Sequence, residues 1–251
     1  MSEKKKSGVR GFIPGFVSDN FVLGFLEFTA KFSRPKDDLI ELHYEYNTDI
    51  WKSLKNKCMK AYKQKWYIEK QSELSGLLYG KGKPGRDKRY LSGRPLTAAE
   101  NSCEVIAVYN ALISLCNGQV LVDLPDLIRT FEHRGIALGG YFGTSLKAVM
   151  RFFEKNLIIT EMYVGKMIDD DVIADLDRCF DTFIMTAYNN RHDICDMIHT
   201  VCITKEKDTY VVHNEGGGKS CSSLLEAVRG FGDGAGRVMM ISGLGRPQYL
   251  K

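Results

Sequence analysis

Cys103 is the residue in this chain best placed for chemistry. It stands two residues after Asn101 and opens an apolar run, Val105, Ala107, Val108, Ala111, Leu112 and Leu115, that predicts a helix buried most of the way round. Asn101 is a preferred N-cap, Glu104 three residues on completes a capping box, and Gly118 supplies a stop. With Asn101 as cap, Cys103 falls on the second helical position. Its thiol then sits beside unpaired backbone N–H groups at the positive end of the helix dipole, which favours the nucleophilic thiolate. The same N–H groups could hold an oxyanion. A small apolar cysteine packed in a core helix fits this stretch equally well.

A thiolate enzyme needs a base near the sulfur and a group that orients the base. Of five histidines, His43 lies far upstream, and His133 and His192 sit among charged residues as solvated side chains. His199 differs, standing early in an apolar strand, Met197–Ile203, where a histidine is otherwise out of place. A satisfied core histidine is the plainer alternative. The next strand, Thr209–Asn214, follows through the polar turn Lys205–Asp208, so the two strands pair. Pairing brings Asn214, at the end opposite the turn, alongside His199, where it could accept from one ring nitrogen and leave the other facing a thiol. His213 is the rival, but strand alternation sends one of these two neighbours to the far face.

The elements that must position these residues read as follows. Residues 1–11 are expected to be disordered. An amphipathic helix is expected within 12–32, with Phe21, Phe25, Phe28 and Phe32 at helical spacing. Such a face is usually core or interface, and Asp19 and Glu27 interrupt it as a membrane-surface stripe. A strand is expected at 38–47 and a long basic helix at 48–76. Residues 80–96, rich in Gly, Pro, Lys and Arg, read as a flexible connection. After the Cys103 helix come helices at 123–134 and 144–155, the first tolerating Pro125 in its first turn. A strand at 157–163, a helix at 170–179 and strands at 182–188, 197–204 and 209–214 follow. A helix at 220–228 and a strand at 237–242 complete the chain. Helices first, then an antiparallel sheet with inserted helices, is an α+β plan. The expected division is a basic, mostly helical extension over 1–95 and a second domain over 96–251.

Composition narrows the function classes. At 44% hydrophobic residues the chain can build a core, and it has no apolar run of about 18 residues, so no transmembrane segment is expected. The basic start, Lys4-Lys5-Lys6, lacks the following apolar stretch of a signal peptide. Seven scattered cysteines with no C-x-x-C pair fit reduced thiols in the cytoplasm; neither a metal site nor a cofactor is expected. Residues 1–96 hold 20 Lys/Arg against 11 Asp/Glu, whereas the remainder holds 15 against 20. A solvated basic face is the plain reading of that asymmetry, because the lysines are not interleaved in a nucleic-acid-binding pattern. The glycine-rich Gly135–Gly143 lacks the lysine and strand context of a phosphate loop, so a helix–helix loop is expected there. Nothing in the sequence fixes an oligomeric state.

The order of features resembles a known family. A cysteine at the start of a central helix, helices beginning as at Gly143-Thr144-Ser145, a histidine early in a strand and an Asn at the end of its hairpin partner are similar to the papain-like cysteine peptidases. The similarity is greatest to the bacterial branch that removes double-glycine leaders from bacteriocins, and to its stand-alone relatives. The resemblance covers about residues 95–245. It implies a papain-like fold, Cys103 as nucleophile, His199 as general base and acid, and Asn214 as the orienting residue. The implied reaction is hydrolysis of a peptide or amide bond in a peptide or protein substrate, through an acyl-enzyme. Two positions depart from the family. The Gln expected about six residues before the cysteine is replaced by Thr97, which leaves Asn101, Thr97 and the Cys103 backbone N–H as oxyanion candidates. Glu104 stands where glycine is common. These departures keep two alternatives open: an inactive papain-like binding or regulatory protein, and an acyl transferase on the same triad.

Overall fold

The strand-forming runs pair into one sheet of six strands, all neighbours antiparallel, in the spatial order β1-β6-β2-β3-β4-β5. The strands are β1 (Ile159–Val164), β2 (Thr182–Tyr188), β3 (Ile198–Glu206), β4 (Thr209–His213), β5 (Lys219–Cys221) and β6 (Arg237–Gly245). The computed structural model describes residues 18–61, 67–81, 97–140, 142–189, 198–234 and 237–246. Among these are eight helices: α1 (Asp19–Phe32), α2 (Asp37–Ala61), α3 (Ala98–Asn101), α4 (Cys103–Leu115), α5 (Leu124–Arg134), α6 (Leu146–Lys155), α7 (Asp170–Cys179) and α8 (Leu224–Arg229). This is the α+β arrangement expected, with the Cys103 helix packed on an antiparallel sheet.

Both faces of the sheet are covered, and strand alternation sorts the side chains between them. Ile184 and Tyr188 of β2, Cys202 of β3 and Leu244 of β6 join the core under α4. Phe183, Met185 and Ala187 of β2, Val201 and Ile203 of β3 and Ile241 of β6 join a second core under α7 and α8. Every residue of β2 is therefore buried, which is why its sequence is a continuous apolar run rather than an alternating one. Met239 lies opposite a register shift at Thr186/Ala187 and joins Met240 on the α4 side, as the extra residue of a bulge does.

The strand expected at 38–47 is instead the start of α2. Asp37 and Asp38 favour a helix start. Ile40, His43, Asn47 and Trp51 are buried at spacings of three and four, a helical period. The apparent alternation came from Leu42 and Tyr46, which are both exposed. The long helix expected over 48–76 ends its described course at Ala61, and residues 67–79 are irregular apart from a 3-10 turn at Gln71–Leu74 and a bridge from Leu78 to Thr97. The helix expected at 220–228 is split between β5 and α8. The disordered run expected at 1–11, most of the connection expected at 80–96, and His192 lie outside the described residues.

The expected boundary near 80–96 does not divide the core. Leu23, Trp51, Tyr67, Ile68, Leu74, Leu77 and Tyr79 pack in the same cluster as Val105, Val108 and Ile113 of α4. Two buried asparagines dock segment 67–79. Asn110 on α4 accepts from the Ile68 amide (2.8 Å) and donates to its carbonyl (3.0 Å). Asn47 on α2 does the same for Leu78, at 2.7 and 2.9 Å. Each side-chain amide thus supplies the donor and acceptor that a neighbouring strand would.

Candidate functional site

Cys103 is the first residue of α4, not the second. Asn101 ends the short helix α3, Thr97 is its N-cap, and Ser102 is the N-cap of α4 without a side-chain cap bond. The expected capping box does not form, because Glu104 turns elsewhere. Its carboxylate takes the Glu104 amide and accepts from the Thr144 amide at 3.2 Å. Cys103 is 8% exposed, and its buried thiol faces the Glu104 carboxylate and the amide and hydroxyl of Thr200. Burial, and then the neighbouring Glu104 carboxylate, push the thiol well above its ordinary range, and the Thr200 contacts offset this only in part. Burial also pushes the Glu104 carboxyl up to about 7. The pair therefore holds its proton on sulfur at neutral pH.

Around it lies a buried polar layer. Thr200 and Thr186 join hydroxyls across β3 and β2 at 2.9 Å. The Tyr79 hydroxyl bonds to that of Thr144. Thr200 and Thr144 carried no local signal in the sequence, since a threonine in a strand or at a helix start is ordinary.

The structure does not bring the three expected residues together. His199 pairs across the strands with Ala187, and Ala187, Val201 and Ile203 all belong to the core under α7 and α8. Its ring stacks on Phe231 of that core, centroids 6.2 Å apart. Thr200, one residue on, is what faces α4. His199 and Cys103 thus lie on opposite faces of the sheet. His199 and Asn214 do meet, but through the backbone: Nε2 donates to the Asn214 carbonyl at 2.8 Å. Burial holds the His199 pKa below its usual value, so the ring is neutral at pH 7.

The Asn214 side chain is taken up by the N-terminal segment. Its Oδ1 accepts from the Gln71 amide at 2.8 Å and its Nδ2 donates to Gln71 Oε1 at 3.3 Å. Gln71 Nε2 also donates to the carbonyl of Ala98 at 3.1 Å, close to the start of the cysteine helix. No glutamine lies where the family keeps one, yet a glutamine reaches this region from a part of the chain assigned to the extension. Sequence spacing could not reveal that.

The rival His213 is the histidine on the α4 face. It pairs with Cys202 across β3 and β4, stacks under Tyr67 at 4.0 Å, and bonds to Glu69 (2.7 Å) and Thr204 (2.9 Å). It is 1% exposed and fully engaged there. Among the described residues no His, Cys, Asp and Glu side chains are grouped so as to hold a metal ion.

The raised Glu104 carboxyl has a stability consequence. Its folded pKa of about 7 exceeds the unfolded value near 4.3, so its contribution is full below about pH 4 and is lost as pH rises through 7. Urea unfolding at pH 5 and pH 8 should show the wild type losing about 2.5 kcal/mol more than Glu104→Gln over that interval. Equal losses in the two proteins would mean that the carboxyl titrates normally.

No protein-family model matches the chain, and no curated protein does. No helix among the described residues is long and apolar enough to cross a membrane.

Proposed function

We propose that this chain is a papain-like protein whose Cys103 site binds or regulates rather than hydrolyses, with a peptide or protein as its partner. One observation carries the reading: the sulfur faces Glu104 and Thr200 while His199 occupies the other face of the sheet. A thiol needs a base within reach to become a nucleophile. The papain-like assignment is supported by the order of a cysteine-bearing central helix, a histidine-bearing strand and its Asn-ended hairpin partner.

Hydrolysis is the competing reading, favoured by one feature of its own. A carboxyl with a pKa of about 7, beside a thiol at a helix N-terminus, is matched to proton abstraction near neutral pH. Acyl transfer on the same residues stands or falls with it.

Iodoacetamide with mass mapping of the modified cysteines separates the readings. Cys179 is exposed and Cys103 is buried, so Cys179 is expected to alkylate first and Cys103 to remain slow across neutral pH. Preferential labelling of Cys103, with a midpoint below the free-thiol value of about 8.5, would overturn the binding reading in favour of hydrolysis.

A further inference from the structure

The outer face of α1 is a bare aromatic stripe. Phe21, Phe25, Phe28 and Phe32 are 65, 45, 60 and 75% exposed, and the rings of Phe28 and Phe32 meet edge-on, 5.2 Å apart. At about 100° per residue the four rings fall within about 60° of one another around the helix. Asp19 and Glu27, the two acids that interrupt this helix in sequence, do not lie on the stripe. Asp19 is buried, accepting from Tyr188 at 2.9 Å and from Arg237 at 2.8 and 3.0 Å. Glu27 accepts from Ser145 at 2.7 Å and from Arg151 at 2.9 and 3.2 Å. Both turn toward the body of the protein, which leaves a continuous apolar strip.

We infer that α1 docks this chain onto an anionic lipid surface through the four phenylalanines. Two arguments select that occupant over a second copy of the chain. The first is charge. Lys31, at the end of α1, and Lys36 are exposed, Arg34 between them is paired with the exposed Asp37 and followed by the exposed Asp38, and the sequence ahead of α1 contains Lys4, Lys5, Lys6 and Arg10 against Glu3 alone. Over residues 1–38 the sequence still holds seven Lys/Arg against five Asp/Glu, two of which turn inward, so a second copy would bring like net charge whereas an anionic headgroup layer attracts the excess. The second is area. With about 200 Å² per phenylalanine, the exposed fractions amount to about 500 Å² per chain. A stable dimer needs about 800 Å² from each partner. The strip is large enough to count as a functional patch yet small for a dimer seam. An apolar strip lying flat with basic residues around it is the chemistry of an interfacial helix.

The test uses the full chain with vesicles of phosphatidylcholine and phosphatidylglycerol in equal parts, and with phosphatidylcholine alone. The wild type should co-sediment with the mixed vesicles and not with the neutral ones, and the binding should weaken with added salt. Phe25→Ser and Phe28→Ser should each lower partitioning by roughly tenfold or more. Because these side chains are already exposed, the variants should keep the wild-type circular dichroism and melting. A Phe28→Trp probe should emit as an exposed indole in buffer and shift to the blue on the mixed vesicles. A blue emission already present in buffer overturns the proposal. Light scattering at twice the chain mass would then assign the stripe to a second copy, and scattering at the monomer mass would assign it to the chain's own N-terminal residues. Equal binding to both vesicle types, or wild-type binding by both serine variants, also overturns it.

Discussion

Replacing His43 with alanine is expected to lower the unfolding free energy by about 3–5 kcal/mol, enough to drop the melting temperature by roughly 6–20 °C in a chain of this length. His43 on α2 and Glu132 on α5 are 0 and 1% exposed, and Nδ1 lies 2.8 Å from Oε1. The Gly80 amide donates to the same oxygen at 2.8 Å, and among the described residues Oε2 is buried without a hydrogen-bond partner. Burial raises the Glu132 pKa and the His43 contact counteracts it. Removing the imidazole therefore leaves a buried acid with one backbone donor, and a hole between two helices. The His43→Leu, Glu132→Leu double variant tests the cause. It removes the stranded group along with its partner and should recover most of the loss. A double variant as unstable as His43→Ala would mean that packing, not the pair, carries the effect.

The second large effect is expected at Gly143, before α6. Its φ is +61°, and a Cβ there would stand 2.2 Å from Glu104 Oε2 and 2.8 Å from Oε1. Alanine has to adopt a left-handed conformation and also displace a carboxylate held by the Thr144 amide. Strain of about 1–2 kcal/mol and a lost or distorted bond to a buried acid of about 1–3 kcal/mol together give about 2–5 kcal/mol. In the background of Glu104→Ala the clash is gone and only the backbone strain remains. The cost of Gly143→Ala should then fall to about 1–2 kcal/mol, a coupling that a double-mutant cycle in urea reads directly. Additive losses would show that Gly143 is needed for its backbone alone.

These two sites illustrate what a sequence can disclose and what it cannot. The runs that became α4 and the β3–β4 hairpin were legible because each combines an apolar pattern with its own punctuation, Gly118 after α4 and the Lys205–Asp208 turn, while β2 was legible as an unbroken apolar run. Helix α2 was misread because Leu42 and Tyr46, apolar yet exposed, imitated strand alternation. The site failed on a subtler point. Alternation establishes that His199 and Thr200 face opposite ways, but both faces of β3 are buried, so neither pattern marks the side on which α4 lies. Threonine and cysteine alternate with valine and isoleucine there, and either set could have met the helix. Glu104 was legible as a residue but assigned to its own helix cap; its acceptance from Thr144 depends on a contact 40 positions away. The Phe stripe on α1 was seen in sequence, while the inward turn of Asp19 and Glu27 required the fold.

The docking of segment 67–79 also bears on how the chain is made. The Gln71 amide finds its acceptor on Asn214, 143 positions later. A ribosome adding about 5–20 residues per second needs roughly seven to thirty seconds to deliver that partner. Through that interval Tyr67, Ile68, Leu74 and Leu77, which the finished protein buries, have no β4 end to close against. The Gln71 end of the segment is thus secured only once the β3–β4 hairpin has been made, whereas Asn47 and Asn110 can hold Leu78 and Ile68 as soon as α2 and α4 are in place.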